Sequence, residues 1–201
     1  MFIRYTICLM AAPVVIDVET QNSFRDVGGY EPGKLKISVA GMYDYETDKY
    51  SAFEEHELPK LFPYLENAST IIGFNIVDFD LPVINPYYVG QLNKFPTLDL
   101  LKYVEKSLGF RIALDDLVRE TLGAHKTGHG LLAIEYFRNG EMQKLKDYCL
   151  SDVRLTKELY EYGKKHGKVF YKGPAGRQEI QIAWNEIPRA VSSGVNLTLP
   201  W

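Results

Sequence analysis

Val14-Val15-Ile16-Asp17-Val18 is the segment that most limits what this chain can fold into. It is β-branched and almost wholly apolar, the pattern of a strand buried on both faces at the centre of a covered sheet. A carboxylate breaks the run at its end. Residues two apart in a strand project to the same side, so Asp17 and Glu19 emerge together. Neighbouring carboxylates repel each other and resist desolvation unless a cation sits between them. Taken alone, a strand that frays into solvent at Asp17 is the better explanation of the pair.

The same conflict recurs near the C-terminus. A long helix is expected from about Glu141 to His166, with one stripe made of Leu145, Cys149, Asp152, Thr156 and Leu159. Asp152 thus puts a charge on the face that should be buried, and Tyr148, one turn earlier, shares its side of the helix. A third phrase, Gly73-Phe74-Asn75-Ile76-Val77-Asp78-Phe79-Asp80-Leu81-Pro82, joins the strand Thr70 to Asn75 to a helix start. Asp80 stands where an N-cap is expected. Capping leaves the rest of the phrase unexplained, since Asn75 ends the strand and Phe79 is free to anchor the turn at the sheet's edge. The ends of adjacent strands in an α/β sheet are where sites form.

Between these segments the pattern gives a polar loop over 21–33, an antiparallel hairpin from Lys34 to Phe53, and an amphipathic helix over Glu57 to Asn67. A short strand follows at Pro96 to Leu100. Helices are expected at Leu101 to Leu108, Leu114 to Leu122 and Leu131 to Phe137. A closing turn near Gly173-Pro174 leads to a last short strand over Glu179 to Trp184. Strands come first and helices later, with βα units between. The pattern predicts an α/β chain whose mixed sheet is covered by helices on both faces.

Composition narrows the function. The chain has 201 residues with 46% hydrophobic content, enough for a core, and disorder or low-complexity architecture is excluded. Its net charge of −3 argues against broad polybasic binding of nucleic acid and leaves room for a local groove. Cys8 and Cys149 form neither a disulfide framework nor a zinc cluster, which fits a reducing cytoplasm. The opening Met1 to Ala12 mimics a short signal peptide, but cleavage there would cut at the edge of the first strand. No stretch approaches the roughly 20 apolar residues of a membrane span. In the cytoplasm, the sequons at Asn67 and Asn196 carry no meaning.

Asp17-x-Glu19, then Asn75-x-x-x-Phe79-Asp80, then Tyr148-x-x-x-Asp152, in that order, resembles the three exonuclease motifs of the DnaQ-like 3'-5' exonucleases. Tyrosine in the third motif points to the DEDDy subgroup. The phrase Gly-Phe-Asn-Ile-x-x-Phe-Asp-x-Pro is especially similar to the exonuclease domain of family B DNA polymerases. Each motif is common; their joint order and spacing is specific. The resemblance covers about residues 14–167 of one domain spanning 1–201, with 168–201 as an appendage that includes a short hairpin.

That resemblance implies a ribonuclease H-like fold with a five-stranded mixed sheet and two divalent ions, Mg²⁺ or Mn²⁺, held by Asp17, Glu19, Asp80 and Asp152. Oxygen ligands without nearby Cys or His suit those hard cations. In the family's two-metal displacement, with ions about 3.5–4 Å apart, one ion activates a water and the other stabilises the leaving 3'-oxygen. Asp17 is the expected bridge. Tyr148 would orient the attacking water, since a phenol with an ordinary pKa near 10 is a better positioner than base. The backbone at Glu19-Thr20 and the side chains of Asn75 and Phe79 would meet the terminal nucleotide, although core packing accounts for Phe74 and Phe79 as well.

The implied partner is single-stranded DNA or RNA with a free 3' end, with targeting left to replication or repair proteins. A structure-specific nuclease of the ribonuclease H-like group and a silent end-binding module are the rivals. Other motifs fail. Gly123 to Thr127 lacks the glycines of a phosphate loop, because Glu120 and His125 stand in their places. His125 and His129 sit among glycines and make no zinc site. For Lys126 to Gly130 a solvated turn is preferred to contact with backbone phosphates, for Asp99 a cap is preferred to an acid supporting the metal ligands, and Asp115-Asp116 reads as a helix N-terminus.

Overall fold

The computed structural model describes residues 11–126, 128 and 130–184. The opening decapeptide, His129 and Asn196 lie outside the described residues. The sheet has five strands, as expected: β1 (Val14–Thr20), β2 (Ile37–Asp44), β3 (Lys49–Glu54), β4 (Ile71–Gly73) and β5 (Thr97–Asp99), in the spatial order β3-β2-β1-β4-β5. β1 pairs antiparallel with β2 and parallel with β4, so the doubly apolar strand lies in the middle.

Alternation along β1 divides the core. Val14, Ile16 and Val18 pack with Leu58, Leu61 and Leu65 of α1 (Leu58–Asn67) and with Leu81 and Ile84 of α2 (Asp80–Ile84). Val15, with Ile72 and Leu98, packs on the other side against α3 (Leu100–Leu108), α4 (Leu114–Leu122) and the long α6 (Met142–His166). Helices thus cover both faces. Asp17 and Glu19 follow Val15 on the α6 side. Every member of the stripe Leu145, Cys149, Asp152, Thr156 and Leu159 is buried. α5 (Gly130–Arg138) precedes α6.

Three local readings shift. β4 stops at Gly73, before Asn75, because Asn75 adopts a left-handed φ of 68° that no strand continues through. Asp80 is not a cap: it is the first residue of α2, Phe79 holds the cap position, and the Asp80 carboxylate reaches across to β1. The terminal hairpin, β6 (Lys168–Gly173) and β7 (Gly176–Gln181), turns tightly at Pro174-Ala175, so its second strand starts three residues earlier than the sequence pattern suggests. Val169, Ile180 and Trp184 place that hairpin on the α4–α6 core.

One glycine sets the height of α6 above the sheet. Gly41 lies across from Asp17 in the β1–β2 register. A Cβ at that position would lie 2.8 Å from Cys149 Sγ and 2.9 Å from Val153 Cγ2. The helix therefore rests directly on the backbone of β2, one turn from Asp152. Gly41→Ala is expected to overpack this contact and cost about 1–3 kcal/mol in urea denaturation. Unchanged stability would show that α6 has slack there.

Candidate metal and nucleic-acid site

All eight residues singled out in the sequence (Asp17, Glu19, Thr20, Asn75, Phe79, Asp80, Tyr148 and Asp152) line one cleft of about 400 Å³ at the C-terminal end of β1. β1 supplies Asp17, Glu19 and Thr20, and α6 supplies Tyr148 and Asp152. The turn after β4 supplies Asn75, Phe79 and Asp80. A register shift in the β1–β2 pairing at Glu19/Thr20 ends the regular ladder beside the acids.

The four acids are not equivalent. Carboxylate oxygens of Asp17, Glu19 and Asp152 all lie within 4.8 Å of one another, close enough to share an ion. Asp80 stands beside this trio and lines the same cleft, with its Oδ1 accepting a hydrogen bond from Val18 N at 2.8 Å. One carboxylate oxygen is thereby spent on pinning the α2 turn to β1. Its second oxygen is the one left for a ligand.

The donor set fits hard divalent cations. It offers oxygens only, with the thiol of Cys149 turned toward Asp17 at 3.5–3.7 Å as a hydrogen-bond donor. Asp152 Oδ1 and Tyr148 Oη are buried, and neither has a hydrogen-bond partner of good geometry. Buried orphans of this kind are rare because each costs desolvation without return. A bound ion and its water would satisfy both.

Electrostatics carries the same message. Desolvation, followed by the charges of Asp152, Glu19 and Asp80, raises the pKa of Asp17 well above its ordinary value. Desolvation and then Asp152 do the same for Glu19. Desolvation pushes Asp80 up to about 7, and it raises Asp152 against the opposing pull of Lys126. Burial and the neighbouring acids raise the Tyr148 phenol, so it stays protonated at neutral pH. A protonated phenol orients a water; it does not deprotonate one.

Lys126 is the residue that the sequence understates. At Lys126 the structure shows an ammonium in the cleft where a solvated side chain is expected, 2.7 Å from Asp152 Oδ2 and with only 22% of the side chain exposed. Burial disfavours that charge, but Asp152 and Asp17 outweigh it and hold the pKa raised. The backbone N–H of Lys126 donates to Asp115 at 2.8 Å, so this acid at the start of α4 anchors the segment too. No local signal marks Lys126, because its placement rests on partners remote in sequence, Asp115 and Asp152.

Asp99 does more than cap a helix. It caps α3 as expected, accepting from Leu101 and Lys102 N–H groups, and it additionally accepts from Asn75 N at 2.9 Å and Val77 N at 3.1 Å. One carboxylate thus ties the motif turn to the end of β5. Phe74 and Phe79 pack on the core, as preferred for them, and also line the cleft. Phe24, Leu131 and Ile134 complete its walls.

A family model described as the RNase H superfamily matches residues 15–163. Among solved structures, the chain is similar to the family B DNA polymerase from the hyperthermophilic archaeon Pyrobaculum calidifontis, with a TM-score of 0.57 and 19% identity. That match covers 75% of this chain and 24% of the polymerase, so the chain spans about a quarter of that protein's length. At this identity the likeness shows the fold. No curated protein matches.

Two outcomes follow from the charge balance. Folded pKa values above the unfolded ones mean that the folded chain keeps protons the unfolded chain has released. Metal-free stability therefore falls as pH rises from about 4 through about 7, where Asp80 titrates. In chelator, Tm should drop over that window and drop less in Asp80→Asn; a flat profile contradicts the assignment. Lys126→Met should lower Tm in chelator and enlarge the Mn²⁺-induced rise in Tm, since no ammonium must be displaced. Equal Mn²⁺ shifts in both proteins would show that lysine and ion do not share Asp152.

Proposed function

The chain belongs to the RNase H superfamily, and on that premise we propose that it is a metal-dependent 3'-5' exonuclease acting on single-stranded DNA or RNA. The observation that carries this reading is the convergence of carboxylates from β1 and α6 within 4.8 Å, in a cleft that the Asn75–Asp80 turn also lines. Asp17, Glu19 and Asp152, with the free oxygen of Asp80, would hold two Mg²⁺ or Mn²⁺ ions. When bound, such ions supply an activated water and stabilise the leaving oxygen of an in-line displacement.

The remaining work falls to the chain's own side chains. Tyr148 Oη, buried, protonated and beside Asp152 without a hydrogen bond of good geometry, is available to hold the attacking water in line with the scissile phosphorus. Asn75 lines the cleft from a left-handed backbone whose N–H is held by Asp99. Its Oδ1 is engaged by the Arg111 guanidinium, which leaves the NH₂ group as donor to a terminal sugar or phosphate oxygen. The cleft's two walls, the 21–30 loop and α5, are joined by Arg138 and Asp26 at 3.5 Å.

The test uses 3'- and 5'-labelled single-stranded DNA and RNA with Mg²⁺, Mn²⁺ or chelator, alongside Asp17→Ala. Stepwise shortening from the 3' end, abolished by chelator and in the variant, is the expected result. Internal cuts would favour a structure-specific nuclease, and end binding without products a silent module. Tyr148→Phe should slow cleavage about 10- to 100-fold while leaving the Mn²⁺-induced Tm shift intact. Loss of that shift would mean that the phenol supports the fold of the site instead.

A further inference from the structure

Resting on the nuclease reading, we propose that the strand upstream of the scissile bond leaves the cleft past Asn75 and lies across the exposed face of Tyr30, with Arg111 on its backbone. Asn75 lines two adjoining concavities. One is the acidic cleft; the other, of about 590 Å³, is bounded by Tyr30, Pro32, Asp78, Pro82 and Arg111. The two meet at Asn75, on the motif turn. None of the four acids, nor Tyr148, lines the second half.

Tyr30 is 64% exposed, which is unusual for an aromatic ring with fixed surroundings. Its inner face meets Phe24, itself a wall of the acidic cleft, with ring centroids 4.6 Å apart and planes tilted by 34°. Its hydroxyl donates to Asp78 O at 3.1 Å, across the path. Gly28 and Gly29, at φ of 85° and 154°, fold the loop back so that Gly29 N reaches Phe24 O at 3.0 Å. The ring is therefore held at both ends before any ligand arrives, and its outer face is bare. A planar base stacks on such a face whatever its identity, and little ordering remains to oppose binding.

Arg111 supplies the backbone contact. Its side chain is 47% exposed, and its guanidinium touches Asp78 at 3.2 Å, Glu105 at 3.5 Å and Asn75 Oδ1. A guanidinium carries five donors, so hydrogens remain for a phosphate. Lys102 also pairs with Asp78, at 2.6 Å. Two cations face two acids here, so the patch is electrically balanced. It would recognise one phosphate by geometry, and it would not attract a polyanion from a distance. That agrees with a chain whose net charge is −3.

The full chain is titrated, with Ca²⁺ in place of Mg²⁺, against fluorescein-labelled oligothymidylates of two and of eight nucleotides. The octamer should bind about tenfold tighter than the dimer or better. Tyr30→Ala should erase that gain while leaving the dimer unchanged, and Tyr30→Phe should keep it. Arg111→Gln should reduce the slope of log affinity against log salt for the octamer by about 0.7, the value of one single-strand phosphate. Octamer binding that is identical in wild type, Tyr30→Ala and Arg111→Gln overturns the path and leaves the nuclease reading standing. A wild-type chain that binds neither oligonucleotide overturns both.

Discussion

Like-charge repulsion at the end of β1 is the constraint around which this molecule is organised. Asp17 and Glu19 project from a central strand onto the face that α6 covers, and α6 lowers a third carboxylate, Asp152, onto them. The close approach is possible because Gly41, opposite Asp17, gives the helix no side chain to climb over. A fold optimised for stability alone would place apolar side chains at these positions. Here the sheet and the helix bring acids together, and the cost falls on the metal-free protein as carboxyl pKa values raised by desolvation and mutual repulsion.

The chain's own answer to that repulsion is Lys126. A single ammonium offsets part of the charge of Asp17, Glu19, Asp80 and Asp152, and it sits where a small cation would be drawn. Around it, two further acids do quieter work. Asp80 spends an oxygen on Val18 N–H, and Asp99 gathers the N–H groups of Asn75 and Val77 along with those of the helix start. The motif turn is thus bound to β1 at one end and β5 at the other. This rigidity lets Asn75 hold its strained backbone and present its amide.

Much of this was legible in the sequence because charges in buried periodic positions are visible without a structure. The β1 run, the α6 stripe and the phrase from Gly73 to Pro82 each contradict their own pattern, and all three contradictions meet in one cleft. What was not legible depends on distances between remote segments. Asp80 reads as a cap because a helix start follows it, yet the stronger partner is a strand N–H sixty-two residues earlier. Lys126 lies among glycines in a stretch without periodicity, so nothing local separates an ammonium in solvent from one in a cleft. Arg111 and Tyr30 were invisible for the same reason: each belongs to no motif, and each gains meaning only from Asn75 lying between them. No helix among the described residues is long and apolar enough to cross a membrane, in agreement with the hydropathy of the sequence.

The claim on which all else depends is that these acids exist to grip cations. Anomalous diffraction from a crystal of the chain grown with Mn²⁺ tests it directly. The account predicts two manganese peaks about 3.5–4 Å apart, both touching Asp17, with Lys126 withdrawn from Asp152. Peaks confined to surface carboxylates, with the Lys126 ammonium still seated against Asp152, would contradict it.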